Sequence, residues 1–245
     1  MNKQPVVLVT GGARRVGAAI VRRLHAAGCV VAIHYRRSAG EADALAGELN
    51  AVRAGSAATF AAALEDDDAL PRLVGAVIER FGRLDGLVNN ASAFYPTPVG
   101  ATTPAHWDDL FAANARAPFF LAQAATPALR EAKGAIVNIV DIYAERPLAG
   151  HVVYSMAKAS LAMLTFALAK DLAPDIRVNA VAPGAILWPE SGKPEEAAET
   201  LIAKTPLARK GEPADVAEAV RWLLLDARYT TGQVVRVDGG RALTI

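Results

Sequence analysis

Val6-Val7-Leu8-Val9-Thr10-Gly11-Gly12-Ala13-Arg14-Arg15-Val16-Gly17 decides how this chain is read. Four apolar residues in a row, with no polar residue alternating among them, describe a strand buried on both faces. Glycine follows at once, and glycine lets a chain turn sharply while another group approaches its backbone. The segment Gly17–Ala27 then has helical period, so its start aims N–H groups and a positive dipole end back at the turn. Strand, glycine turn and helix in that order suit a pyrophosphate, with Gly11, Arg15, Val16 and Gly17 as candidate contacts. An ordinary strand-to-helix turn has the same outline, so the reading depends on the rest of the chain.

Outward from this turn, short runs rich in Val and Ile recur at Val6–Thr10, Val30–Tyr35, Ala57–Ala62, Gly86–Asn89, Ala135–Val140, Arg177–Ala182 and Gln233–Val237. They read as seven strands. Between them Gly17–Ala27, Glu41–Arg53, Ala69–Arg80, Ala105–Ala125, Val153–Leu172 and Pro213–Leu225 read as helices, two with a proline near the first turn. Strands without alternation, separated by helices, predict an α/β fold: a single doubly wound Rossmann-type domain over residues 1–245, with a seven-stranded parallel sheet flanked by helices. The least regular stretch holds Pro183, Pro189, Pro194 and Pro206 with Gly184 and Gly192. A flexible substrate flap is expected there, at about 185–210, following a strand end where ligands bind in such sheets. A plain surface insertion is the alternative.

Composition narrows the function. The 245 residues carry 26 Lys and Arg against 25 Asp and Glu, a net charge of +1, and 53% are hydrophobic. That fills a core, and it leaves no general field for a nucleic-acid backbone. No basic stripe appears, so no nucleic-acid partner is expected. The single Cys29 makes no internal disulfide, and no Cys or His spacing suggests a metal. The apolar run after Met1 is too short for a signal segment or a membrane span. These features predict a cytoplasmic protein without a membrane partner.

Two further places carry chemistry. At the end of the second strand the chain reads His34-Tyr35-Arg36-Arg37-Ser38, with no acid for a ribose 2′-hydroxyl. Two guanidinium groups and a hydroxyl suit a 2′-phosphate instead, which favours NADPH over NADH, with Tyr35, Arg36, Arg37 and Ser38 as contacts. A solvated basic loop is the alternative. On the helix after the fifth strand, Tyr154 and Lys158 share one face, four residues apart. A nearby ammonium can lower a phenol's pKa and make it a usable proton donor.

Taken together, the turn Thr10–Gly17, Asn89-Asn90-Ala91-Ser92, Asn114, Tyr154-Ser155-Met156-Ala157-Lys158, Pro183-Gly184 and Val237-Asp238-Gly239-Gly240 resemble the short-chain dehydrogenase/reductase family across nearly the whole chain. The resemblance implies hydride transfer from a nicotinamide and usually a homotetramer. It implies Tyr154 as proton donor, Lys158 on the nicotinamide ribose and Asn114 placing a proton-relay water. It also places Leu64, Asn90, Ala91, Ser92, Pro183 and Gly184 against the cofactor.

Most of that family has a serine at the end of the fifth strand, whereas this chain reads Asn138-Ile139-Val140-Asp141. An aspartate is a poor partner for a developing oxyanion. It suits a ring nitrogen that must gain a proton while hydride reaches the adjacent carbon. The substrate would then contain a C=N bond. This narrows the resemblance to pteridine reductases, which Arg15, the His34–Ser38 run and Asn90-Ala91-Ser92-Ala93-Phe94-Tyr95-Pro96-Thr97-Pro98 also resemble. It implies Phe94 stacking a pterin, Arg15 reaching phosphates and substrate, and Ser92, Asp141 and Tyr154 on the substrate. Phe94 could instead be core, and Asp141 a structural residue.

Three departures stand out. Ala62-Ala63-Leu64 lacks the acid that commonly binds the adenine amine, so that contact falls to backbone or to Glu65. Trp188 replaces the hydroxyl after Pro183-Gly184, and is expected to wall the substrate pocket. Arg15 replaces the middle turn glycine. The expected activity is reduction of a dihydropterin or dihydrofolate, with oxidised pterin or folate as further substrates. The alternatives are a dihydromonapterin reductase, a carbonyl reductase such as a 3-oxoacyl thioester reductase, and a non-catalytic NADPH-binding regulator.

Overall fold

The computed structural model describes residues 4–187 and 195–245. Strands β1 (Val6–Val9), β2 (Val30–Tyr35), β3 (Ala57–Ala61), β4 (Gly86–Asn89), β5 (Ala135–Ile139), β6 (Arg177–Pro183) and β7 (Val234–Val237) form one sheet in the order β3-β2-β1-β4-β5-β6-β7. Every pairing is parallel, from Val6 beside Val30 at one end to Pro183 beside Val237 at the other. The fold is α/β and Rossmann-type, with each strand end within one residue of its expected place.

The helices are α1 (Arg15–Ala26), α2 (Ala39–Val52), α3 (Ala69–Phe81), α4 (Pro104–Phe111), α5 (Ala117–Ala132), α6 (Val152–Asp171), α7 (Glu195–Ala203) and α8 (Pro213–Leu225). Neighbouring residues of β1 enter opposite cores. Val7 and Val9 pack with α1, α2 and α8, while Val6 and Leu8 pack with α3 and α5. Burial on both faces is why this strand shows no alternation. Helix α6 is long and apolar enough to cross a membrane by composition, yet it lies on the sheet and carries the buried Lys158.

Two segments differ from expectation. The helix expected over Ala105–Ala125 is broken by a π-helical turn at Ala112–Arg116, between α4 and α5. Its residues are all compatible with a plain helix, so composition gives no sign of the widened turn, which lodges Asn114 in the protein interior. In the stretch 185–210, expected to be irregular, the described residues include α7. The sequence hides it because Pro194 and Pro206 bracket the helix rather than interrupt it.

Strand order reverses between β1 and β4, whose chains lead from neighbouring carboxyl ends to helices on opposite faces of the sheet, α1 and α5. In open parallel sheets that reversal leaves a crevice where ligands bind.

Candidate active site

A cavity of about 690 Å³ occupies that crevice. Its walls include Gly11, Arg15, Val16 and Gly17 after β1, Asn90, Ala91, Ser92 and Phe94 after β4, Asp141 after β5, Tyr154 and Lys158 from α6, and Pro183 and Gly184 after β6, together with Arg36 and Leu64. A smaller adjoining cavity of about 290 Å³ is lined by Gly11, Ala13, Arg14, Tyr35, Arg36, Arg37 and Ser38. The expected contacts among the described residues, apart from Asn114, thus line two spaces whose walls share Gly11, Arg14 and Arg36. Trp188 lies outside the described residues.

The glycine turn is held from three sides. Thr10 Oγ1 accepts from Asn90 N at 2.9 Å and Ala91 N at 3.0 Å, and Asn90 Nδ2 donates to the Thr10 and Gly11 carbonyls at 2.9 and 3.1 Å. The Gly11 N–H donates to His34 Nδ1 at 3.0 Å, and His34 Nε2 then faces the Ala62 carbonyl at 3.2 Å. A ring that accepts at one nitrogen and donates at the other is neutral, and burial lowers the His34 pKa to about 4. A Cβ at Gly17 would sit on the Gly11 carbonyl oxygen and 2.7 Å from Asn90 Nδ2. Arg15 stands at φ 53°, the left-handed region in which a glycine is unstrained.

This geometry fits a dinucleotide. The first turn of α1 has neither a side-chain cap nor an acid, leaving its dipole end for an anion. Ser38, the N-cap of α2, makes no capping hydrogen bond with its side chain, and the Arg36 and Arg37 side chains border the same space. Arg36 NH2 lies 3.3 Å from the Glu65 carboxylate, which also lines the main cavity. Glu65 therefore borders the crevice beside Arg36, directly after the Ala62–Leu64 run that lacks the expected acid.

At the other end of the cavity, Tyr154 donates its hydroxyl to Asp141 Oδ2 at 2.7 Å, and the Tyr143 N–H donates to Asp141 Oδ1 at 2.9 Å. Burial pushes the Asp141 carboxyl above its ordinary range, against the opposing pull of those two donors and of the Lys158 ammonium. Burial, and then the Asp141 charge and hydrogen bond, hold the Tyr154 phenol well above its usual value. Lys158 is 2% exposed and donates to the Ile139 carbonyl at 2.9 Å. Burial lowers its pKa to about 8, outweighing the attraction of Asp141.

The expectation that Lys158 would lower the tyrosine pKa is corrected here. The charge bonded to the phenol is the Asp141 carboxylate, whereas the ammonium lies 5.9 Å from the ring centroid. The phenol is kept protonated at neutral pH, as a proton donor requires. Asn114 stands just outside the cavity lining. It is fully buried behind the cavity wall, its Nδ2 donating to the Ala93 and Leu110 carbonyls, both at 2.9 Å, and its Oδ1 accepting from Ser92 Oγ at 2.7 Å. Its amide hydrogens are spent on protein, so the side chain positions the Ser92–Ala93 loop. Phe94 is 46% exposed and lines the cavity, which removes the alternative that it is core.

Sequence reasoning missed His34 as a brace of the turn and Tyr143 and Leu148 as cavity residues. His34 falls inside a strand, where only the three-dimensional neighbour gives it a purpose. Tyr143 follows Asp141 closely enough that its place beside the cavity could have been suspected.

The chain matches, over residues 11–242, the family described as enoyl-(acyl carrier protein) reductase. It belongs to the short-chain dehydrogenase/reductases. This member is 40% identical to pteridine reductase 1 of Leishmania tarentolae, over 98% of this chain and 97% of the relative. It is 37% identical to a granaticin polyketide synthase ketoacyl reductase of Streptomyces violaceoruber, over 98% and 96% of the two chains. The 3-oxoacyl-[acyl-carrier-protein] reductase FabG of Staphylococcus aureus (strain N315) is 36% identical, over 98% and 99%. The short-chain reductase described here is accordingly a nicotinamide-dependent oxidoreductase.

Proposed function

We propose that this reductase is a cytoplasmic, NADPH-dependent pteridine reductase that converts a dihydropterin or dihydrofolate to the tetrahydro form, acting as one domain over residues 1–245. The observation that carries the reading is the Asp141 carboxylate, 2.7 Å from the Tyr154 hydroxyl at the cavity wall. Arg36, Arg37 and Ser38 would hold the 2′-phosphate, and the Gly11–Gly17 turn the pyrophosphate. When bound, the nicotinamide supplies the hydride.

The side chains manage the proton. Tyr154, kept neutral by burial and by Asp141, presents its proton to a ring nitrogen that gains basicity as the adjacent carbon is reduced. Asp141, whose own affinity for a proton is raised by burial, would take one up from solvent and, as the carboxylic acid, hand it to the phenolate along the same Oδ2–hydroxyl line, returning to the carboxylate that accepts from the restored phenol. Lys158 offers its ammonium to the ribose and keeps positive charge near the pair. Phe94 gives the flat bicycle an aromatic face, and Arg15 a forked donor.

A second reading, a 3-oxoacyl thioester or other carbonyl reductase, draws support from the FabG and ketoacyl reductase relatives. Asp141 weighs against it, since a carboxylate repels the oxyanion that forms when a ketone is reduced. NADPH consumption measured with dihydrobiopterin, dihydromonapterin, dihydrofolate, folate and an acetoacetyl thioester decides between them. Turnover of the pterins is expected; turnover confined to the thioester would establish the second reading.

A further inference from the structure

Phe94 would be a poor wall for a flat ligand if its ring could turn freely, because an aromatic side chain on an exposed loop loses rotational freedom whenever a ring is laid on it. The structure removes that freedom beforehand. His151 stacks on one face of Phe94, with centroids 4.8 Å apart and planes inclined by 13°. Tyr154 meets the same ring edge-on, also at 4.8 Å, with planes at 82°. His151 is itself fixed: Nδ1 donates to the Ala149 carbonyl at 3.0 Å, and its backbone N–H to Leu148 O at 3.1 Å. The two segments are also sewn together, Thr97 bridging to His151 and donating its N–H to Gly150 O at 2.7 Å. His151 does not border the main cavity, whereas Phe94 does.

We infer that His151 is a positioning residue for the ring-binding site, a backing plate that sets the plane of Phe94 so that the face turned to the cavity is ready for a fused heterocycle. The inference rests on the pterin reading given above. An imidazole serves because it is flat enough to stack and carries an N–H that locks its own orientation on the Ala149 carbonyl, two properties that separate substitutions can remove one at a time.

The test compares H151A, H151Q and H151F with the wild type in the full-length protein, with folding checked by thermal melting. Glutamine keeps a donor for Ala149 and loses the flat face; phenylalanine keeps the face and loses the donor. Steady-state kinetics with dihydrobiopterin are expected to show KM raised about five- to twenty-fold in H151A and H151Q. kcat should stay within about threefold and the NADPH dissociation constant, from nicotinamide fluorescence, should not change. H151F should recover most of the lost affinity. Unchanged KM in H151A, or equal losses in H151F and H151Q, would overturn the positioning role while leaving pterin reduction intact. A wild type that turns over no pterin and binds none in the same titration would overturn the pterin reading, and this inference with it.

Discussion

Asp141 and Tyr154 share one short hydrogen bond, so removing either member affects the proton and not the dinucleotide. Asp141→Ala or Tyr154→Phe is expected to lower turnover by orders of magnitude, with NADPH affinity nearly unchanged by fluorescence titration; near-normal turnover in both would remove the proposed chemistry. Lys158 is expected to set an alkaline limit on the proposed reaction. With a pKa of about 8 in the buried site, its ammonium is present below that value and lost as pH rises through it. A plot of log kcat/KM against pH should therefore fall above about pH 8. Lys158→Arg, which stays charged at any usable pH, should keep only part of the activity but show no such fall. A wild-type profile flat through pH 9.5 would separate Lys158 from the reaction.

At the level of the element, the glycine turn and the strand beside it form one unit. A methyl group at Gly17 would collide with the Gly11 carbonyl, which is backbone and cannot swing aside. Gly17→Ala should weaken NADPH binding at least tenfold and lower the melting temperature; binding at wild-type strength would mean the turn relaxes. His34 supplies a pH signature for the same unit. Its folded pKa of about 4 lies below the ordinary 6.5, so the unfolded chain takes up the proton first. The stability that His34 contributes is complete above about pH 6.5 and is lost as pH falls toward 4, by about 3 kcal/mol at roughly 1.4 kcal/mol per pH unit. Urea unfolding across that range should show this slope in the wild type. His34→Leu should flatten it and be less stable at pH 7 by about 2 kcal/mol, since the Gly11 N–H and Ala62 carbonyl lose their partner. An unaltered slope would place the titration elsewhere.

For the whole molecule, α4, α5 and α6 each carry exposed large apolar side chains, among them Trp107, Phe119, Phe120, Met156, Met163 and Phe166. Apolar groups of this size on neighbouring helices suit association. We propose that the homotetramer implied by the family resemblance forms through these helices: light scattering should give about four times the 25.6 kDa chain mass, and Met163→Glu with Phe166→Glu should break it down; a monomer in the wild type would reject the proposal. The sheet was legible at this scale because burial on both faces leaves uninterrupted apolar runs, such as Val6–Val9, that sequence displays directly. The cavity was legible wherever a contact belongs to a strand end or the glycine turn. What escaped were features of packing: the π turn that buries Asn114, the imidazole that braces Gly11, and the burial that, with the Asp141 carboxylate, raises the Tyr154 pKa where the ammonium was expected to lower it. None of these follows from the chemistry of a residue and its immediate neighbours.

Strand order carries one more consequence, for the chain as it is made. β1 sits between β2 and β4, and β4 is synthesised only after β2, β3 and three helices have emerged. On the ribosome, the amino-terminal portion must wait with one side of β1 unpaired and apolar, the form most prone to self-association. The walls of the crevice come from both sides of that seam, so a chain nicked in the 66–68 loop should regain nucleotide affinity only when its two fragments rejoin.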